Sequence, residues 1–123
     1  MIRFDLLIID DERRFGEYLV RRLKLRGLTC CVCHEGQSGL DILSHKKFRL
    51  ILLDLQLPDL YGTDVLARIK KICATTPVVI LTGHGSEKDR QECMALGAYA
   101  FMHKPLNIDT LLRILTQIGR TAS

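Results

Sequence analysis

Five side chains in this sequence could meet to do chemistry on a phosphoryl group: the carboxylates of Asp10, Asp11 and Asp54, the hydroxyl of Thr82 and the ammonium of Lys104. Crowded carboxylates repel one another at neutral pH, so they must hold a proton or share a cation. A hard divalent ion, Mg2+ (or Mn2+), answers that need, because it takes few carboxylates plus water and leaves positions open for a phosphate oxygen. A carboxylate can itself be the acceptor, forming an aspartyl phosphate. The ion and Lys104 would then stabilise charge on the transferring oxygens, while Thr82 offers one of them a hydroxyl. Which carboxylate accepts is left open by the residue types, although Asp54 is the lone acid that follows the central apolar run. Singly, an Asp after a strand is a common turn or cap residue. It is the set that points to a site.

For these residues to meet, they must stand at one edge of one sheet. The apolar run at residues 6–9 ends in Asp10-Asp11-Glu12, after which Phe15, Leu19 and Leu23 recur among arginines, which predicts a strand and then a helix. Gly27 is a helix stop, and residues 29–33 read as a second strand. A helix over 37–44 carries Leu40 and Leu43; the run 50–53 is apolar on both faces and so predicts a central strand ending at Asp54. Pro58 and Gly62 mark a loop, with Thr63 as the expected cap of a helix carrying Val65, Leu66 and Ile69. A fourth strand, 78–81, ends at Thr82. Gly83-His84-Gly85 is a flexible loop, and Ser86 caps a helix over 87–96 that is polar except for Cys93, Met94 and Leu96. Gly97 stops that helix, 99–102 is a fifth strand, and Lys104-Pro105 precedes a last helix over 108–118. Strands and helices thus alternate, as expected of an α/β domain with a parallel sheet, whose functional crevice lies outside the carboxyl ends of its strands.

The chain resembles the receiver domain of two-component response regulators. The resemblance rests on Asp10-Asp11-Glu12, on Asp54 followed by Pro58 and Gly62, on Thr82-Gly83, and on Gly97-Ala98-Tyr99-Ala100-Phe101-Met102-His103-Lys104-Pro105, all in order. It implies a doubly wound, flavodoxin-like sheet of five strands in order 2-1-3-4-5 with five helices. Residues 1–118 would be the receiver domain, with 119–123 a tail or the start of a linker. The resemblance further implies that Asp54 takes a phosphoryl group from a sensor histidine kinase or a histidine phosphotransfer protein. Asp11, Asp54 and the backbone carbonyl of Gln56 would ligate Mg2+ directly, with Asp10 acting through water. Lys104 would pair with the phosphate, its bond to Pro105 being cis. Thr82 would move inward and Phe101 swing into the space vacated, shifting a population between two states. Gln56 and His84 stand where side chains tune the attack of water on the phosphoryl group. The fourth helix, fifth strand and fifth helix would be read by a downstream effector domain or protein, and phosphorylation-dependent pairing of two copies is a further implied partnership.

Composition narrows the field. A chain of 123 residues, 47% hydrophobic and 26% charged, is the size of one domain and can build a core without disulfides or a structural metal. The net charge of +4 comes from Arg13, Arg14, Arg21, Arg22, Lys24, Arg26 and then Lys46, Lys47 and Arg49. With no aromatic interleaving these read as the solvated faces of helices rather than a nucleic-acid surface. No apolar run reaches a membrane span of about 18 residues, and the first residues lack the pattern of an export signal, so a cytoplasmic setting without membrane contact is expected. The five cysteines are an odd number. Cys30 and Cys33 form a C-x-x-C, but in a strand they face opposite ways, and no second pair stands at zinc spacing. His103 should point away from the site; His34 and His45 read as loop and helix surface, and Met94 and Met102 as core. Two other function classes compete. A haloacid-dehalogenase-type phosphatase needs a second Asp two residues after the nucleophile, where Gln56 stands. A pseudo-receiver that only binds partners does not need the full set of Asp10, Asp11, Asp54, Thr82 and Lys104. A nucleotide-binding domain is excluded by the lack of a glycine-rich loop after the first strand.

Overall fold

Apolar runs that alternate with amphipathic ones fold here into ten elements: β1 (Ile2–Ile9), α1 (Arg13–Lys24), β2 (Cys30–Cys33), α2 (Gly36–Ile42), β3 (Lys46–Leu53), α3 (Gly62–Ile72), β4 (Val78–Thr82), α4 (Glu87–Ala95), β5 (Ala100–His103) and α5 (Ile108–Thr121). The computed structural model describes residues 2–121. All strand pairs are parallel, in the order β2-β1-β3-β4-β5. This is the expected doubly wound α/β fold.

Side chains alternate across each strand, and the apolar strands feed two cores. Leu7, Ile9, Ile51, Leu53, Val78 and Ile80 pack under α2, α3 and α4 with Leu40, Val65, Leu66, Ile69 and Cys93. Leu6, Ile8, Leu50, Leu52, Val79 and Leu81 pack on the other side under α1 and α5 with Leu19, Leu23, Leu111 and Leu115. Cys33 joins the first cluster and Cys30 the second, so the two thiols do lie on opposite faces. Burial raises both of their pKa values, that of Cys30 to about 11, which makes them poor nucleophiles at neutral pH.

Several boundaries differ from the sequence reading. β3 begins at Lys46, because it pairs with the early part of β1, with Arg3 opposite Lys47 and Phe4 opposite Phe48. The Phe4 and Phe48 rings stack at 5.8 Å. Lys46, Lys47 and Arg49 are therefore strand residues, not a helix face, whereas Arg13, Arg14, Arg21, Arg22 and Lys24 do form the exposed side of α1. His45 lies in the turn before β3 rather than on a helix. Thr63 is not the cap of α3: the helix starts two residues earlier than that cap would place it, at Gly62, with Tyr61 at the N-cap position and no side-chain cap bond. The reason is Gly62, whose N–H donates to the Leu55 carbonyl at 3.2 Å, and where a Cβ would lie 2.8 Å from that same oxygen. Met94 is 39% exposed, because α4 turns only Cys93 fully inward, while Met102 packs against the α1/α5 core as expected. Helix α5 continues to Thr121, past the expected end at 118; residues 122 and 123 of the expected tail lie outside the described residues. Among the described residues no helix is long and apolar enough to cross a membrane.

Candidate functional site

The parallel ladder runs right up to the residues of interest and fixes their backbones. The Asp10 N–H donates to the Cys33 carbonyl at 3.0 Å, the Asp54 N–H to the Ile9 carbonyl at 2.9 Å, and the Lys104 N–H to the Thr82 carbonyl at 2.9 Å. Asp10, Asp54, Thr82 and Lys104 are thus set at the carboxyl ends of β1, β3, β4 and β5. Asp10, Asp54 and Thr82 are the polar residues fully buried in the described chain, at 2%, 4% and 0% exposure. The cis Lys104–Pro105 bond is present as expected.

One ammonium organises the cluster. Lys104 Nζ lies 2.8 Å from Asp10 Oδ2, 3.1 Å from Asp54 Oδ2 and 2.6 Å from Glu12 Oε1. It also sits 4.8 Å from the centroid of the Phe15 ring. The remaining carboxylate oxygens are held by backbone: Asp10 Oδ1 accepts from the Glu12 N–H at 2.9 Å and Asp54 Oδ1 from the Gln56 N–H at 3.1 Å. Burial pushes the Asp10 pKa up, and the charge of Asp54 adds to that push. The Lys104 and Glu12 N–H hydrogen bonds pull only partly against them. For Lys104 burial acts downward, but the hydrogen bonds to Asp10 and Glu12 and the charges of Asp10 and Asp54 prevail and hold it well above the usual range.

Oxygens of Asp10, Glu12 and Asp54 all lie within 4.8 Å of one another, and the group could hold a metal ion. Glu12 is the member that sequence reasoning passed over; its signal was its place in the acidic run, and it was assigned no role. Asp11 does not join this group: its side chain is exposed. Gln56 and His84 are exposed, with the His84 N–H 3.5 Å from Thr82 Oγ1. Phe101 is half-buried and packs against the α2/α3/α4 core. His103 points away from the carboxylates, its Nε2–H donating to the Gly85 carbonyl at 2.9 Å. His34, read as a surface residue, is half-buried, and its Nδ1–H donates to the Asp10 carbonyl at 3.0 Å. The β3–α3 loop contributes Asp59, whose two oxygens accept from the Gly36 and Gln37 N–H groups at 2.8 and 2.9 Å and so cap α2.

A flavodoxin-like sheet with buried acids and one lysine at its carboxyl edge defines a class of doubly wound α/β domains. The family model for the response regulator receiver domain matches residues 6–116, and the chain belongs to that family. It is 36% identical to the uncharacterized transcriptional regulatory protein YkoG of Bacillus subtilis over 87% of this chain and 47% of that protein. It is likewise 36% identical to the transcriptional regulatory protein CpxR of Escherichia coli K12, over 94% of this chain and 49% of that protein. The chain therefore spans about half the length of these two curated relatives. Among solved structures it superposes on a CheY-like response regulator receiver domain protein from Methanospirillum hungatei with a TM-score of 0.88 and 26% identity, covering 98% of this chain and 95% of that one. Another match is a response regulator from Burkholderia pseudomallei with a phosphorylated aspartic acid, calcium ion and citrate, at TM-score 0.85 and 26% identity, covering 99% and 71%. Receiver domains are signalling modules rather than turnover enzymes.

Proposed function

We propose that this chain is a phospho-accepting receiver in which Asp54 takes a phosphoryl group from a phosphohistidine on a sensor kinase or histidine phosphotransfer protein. The observation that carries the reading is the shared ammonium: a cation is already held among Asp10, Glu12 and Asp54, where a phosphoryl group and its counterion would need one. The related Burkholderia protein carries both a phosphorylated aspartic acid and a divalent ion.

Asp11, Asp54 and the backbone carbonyl of Gln56 would hold Mg2+ (or Mn2+) directly and Asp10 through water, with Asp11 turning in from its exposed position and Glu12 released. The ion supplies charge neutralisation at the transferring oxygens. An Asp54 carboxylate oxygen forms the new bond to phosphorus as the bond from phosphorus to the donor imidazole nitrogen breaks, and the imidazole keeps that electron pair. Lys104 follows the charge from the carboxylate onto the phosphoryl oxygens, and the Thr82 hydroxyl donates to one of them. Thr82 and Phe101 then move together, and the surface of α4, β5 and α5 is read by an effector domain or protein, or by a second phosphorylated copy. Gln56 and His84 border the path of attacking water and set the lifetime. Residues 1–118 act as the receiver domain in the cytoplasm, with 119–123 a tail or the start of a linker whose first residues, to Thr121, continue α5.

The test is intact mass after incubation with Mg2+ and acetyl phosphate, beside Asp54→Asn and a chelated control. The expected result is a single base-labile phosphoryl adduct that needs both the ion and Asp54. A folded chain that forms no adduct with acetyl phosphate or with phosphohistidine donors overturns the reading in favour of a partner-binding pseudo-receiver. Continued turnover of donor by Asp54→Asn overturns it in favour of another nucleophile.

A further inference from the structure

We propose that His103 is a positioning residue: its imidazole latches the β4–α4 loop to β5 and holds that loop in its resting arrangement, opposing the movement of Thr82. The inference rests on the receiver reading for its consequence and on geometry of its own for the latch.

The backbone ladder between β4 and β5 ends where Thr82 lies opposite His103 and the Lys104 N–H reaches the Thr82 carbonyl. Pro105 has no N–H with which to extend it. Beyond that point the chain runs through Gly83-His84-Gly85, and nothing lies within 4 Å of where a Cβ at Gly83 would stand. The start of the loop is thus loosely held, the His84 N–H lying 3.5 Å from Thr82 Oγ1. The His103 side chain supplies what the backbone cannot, with Nε2–H donating to the Gly85 carbonyl at 2.9 Å. Because a carbonyl only accepts, that ring nitrogen carries the proton.

Gly85 is where the candidate moving parts converge. A Cβ placed there would lie 2.5 Å from Phe101 Cζ and 2.7 Å from Thr82 Cγ2. The Gly85 backbone therefore packs close against both the Phe101 ring and the Thr82 methyl, so a shift of either toward the loop needs Gly85 to shift too. The His103 ring also meets Phe101 edge-on, at 5.5 Å between centroids and 76° between planes. His103 itself is exposed, so its place is not explained by burial. A bond made in the resting state and broken in the phosphorylated one biases the equilibrium toward rest by the factor that the bond is worth.

The test compares wild type with His103→Ala and with His103→Gln, whose amide keeps a donor near the Gly85 carbonyl. Two quantities are read on the folded chain: hydrogen exchange of the loop amides at 83–86, and the apparent affinity for beryllofluoride with Mg2+ as a phosphoryl mimic. The expected result for His103→Ala is loop exchange about two- to fivefold faster and beryllofluoride affinity higher by a similar factor. His103→Gln should return both toward wild type. Unchanged exchange in His103→Ala overturns the latch. Faster exchange with unchanged affinity overturns its coupling to the switch. A wild-type chain that takes up no beryllofluoride overturns the receiver reading and the coupling with it, while the exchange data still decide the latch.

Discussion

Asp5 on β1 meets Arg49 on β3 at 2.9 Å, and the same carboxylate accepts from the N–H and hydroxyl of Thr29 at 2.8 and 3.1 Å. The second guanidinium arm of Arg49 donates to the Leu115 carbonyl of α5 at 2.9 Å. Just past the end of β1, Asp10 shares one ammonium with Asp54 and Glu12. Both groups satisfy their hydrogen bonds, and no buried side-chain polar atom among the described residues lacks a partner. Charge separates them. Asp5 has one cation to itself and keeps 21% of its side chain in water, whereas Asp10 and Asp54 keep 3% and 4% and must divide theirs. Hydrogen bonds to Thr29 and Arg49 outweigh the upward push of burial and hold the Asp5 pKa below its ordinary value, while burial drives that of Asp10 above it. The surroundings of one carboxylate favour its charged form and those of the other oppose it, and a buried acid held against its charge is the mark of a site arranged for something else.

The comparison is sharpest when each cation is removed. Lys104→Met leaves two buried acids and Glu12 around an apolar side chain and should cost about 2–3 kcal/mol at neutral pH, measured by urea unfolding. Millimolar Mg2+ should return part of that loss by binding only the folded state. Arg49→Met leaves Asp5 its Thr29 bonds and should cost about 1 kcal/mol, with no response to Mg2+. Equal losses for the two variants would erase the distinction between the regions.

Next in size is Asp5→Asn, which should lose about 1–2 kcal/mol at pH 7. Since the folded pKa of Asp5 is depressed, its contribution is present above the ordinary value of 3.8 and is lost as pH falls through the folded one. Unfolding midpoints of wild type and Asp5→Asn should therefore converge on acidification. A gap that persists at pH 2 would assign the loss to shape rather than charge.

How far the sequence disclosed this contrast depends on what each residue's neighbours are. The segments apolar on both faces, residues 50–53 of β3 and 78–81 of β4, stand out because burial on both sides forces composition. The acids and the lysine at their ends could be placed at one edge because strict βα alternation sends every strand the same way. What stayed hidden was pairing between segments far apart in the chain. Lys47 and Arg49 alternate with Phe48 at strand spacing, but the partnership of this segment with β1 became visible only through the register. Asp59 looks like an ordinary loop acid until Gly36 and Gln37 arrive against it, and those N–H groups lower its pKa. Glu12 and Asp11 are neighbours of one type, and local conformation decides which reaches Lys104. The Glu12 N–H is tied back to Asp10 Oδ1, and the Glu12 carboxylate reaches Lys104 Nζ, while the Asp11 side chain stays exposed.

The smallest effect tests the expense attributed to Asp10. An acid whose folded pKa is raised stabilises the fold below its unfolded pKa, and that stabilisation is lost as pH rises through the folded value. Asp10→Asn keeps one oxygen, which can accept from the Glu12 N–H as Oδ1 does now, gives up the Oδ2 contact with Lys104, and removes a negative charge beside Asp54. It should gain about 1 kcal/mol at pH 7 without a divalent ion, and the gain should shrink as pH falls toward 3.8. This is the opposite sign and the same direction of convergence as Asp5→Asn, so the two pH series read against one another remove any common effect of acid on the chain. The gain should also reverse in millimolar Mg2+, because the ion binds the folded wild type and adds a second cation to the one that Asp10 and Asp54 divide. Loss of stability in Asp10→Asn at pH 7 would show that the shared ammonium suffices, and the carboxyl edge would then be an ion-pair network of the same kind as the one at Asp5.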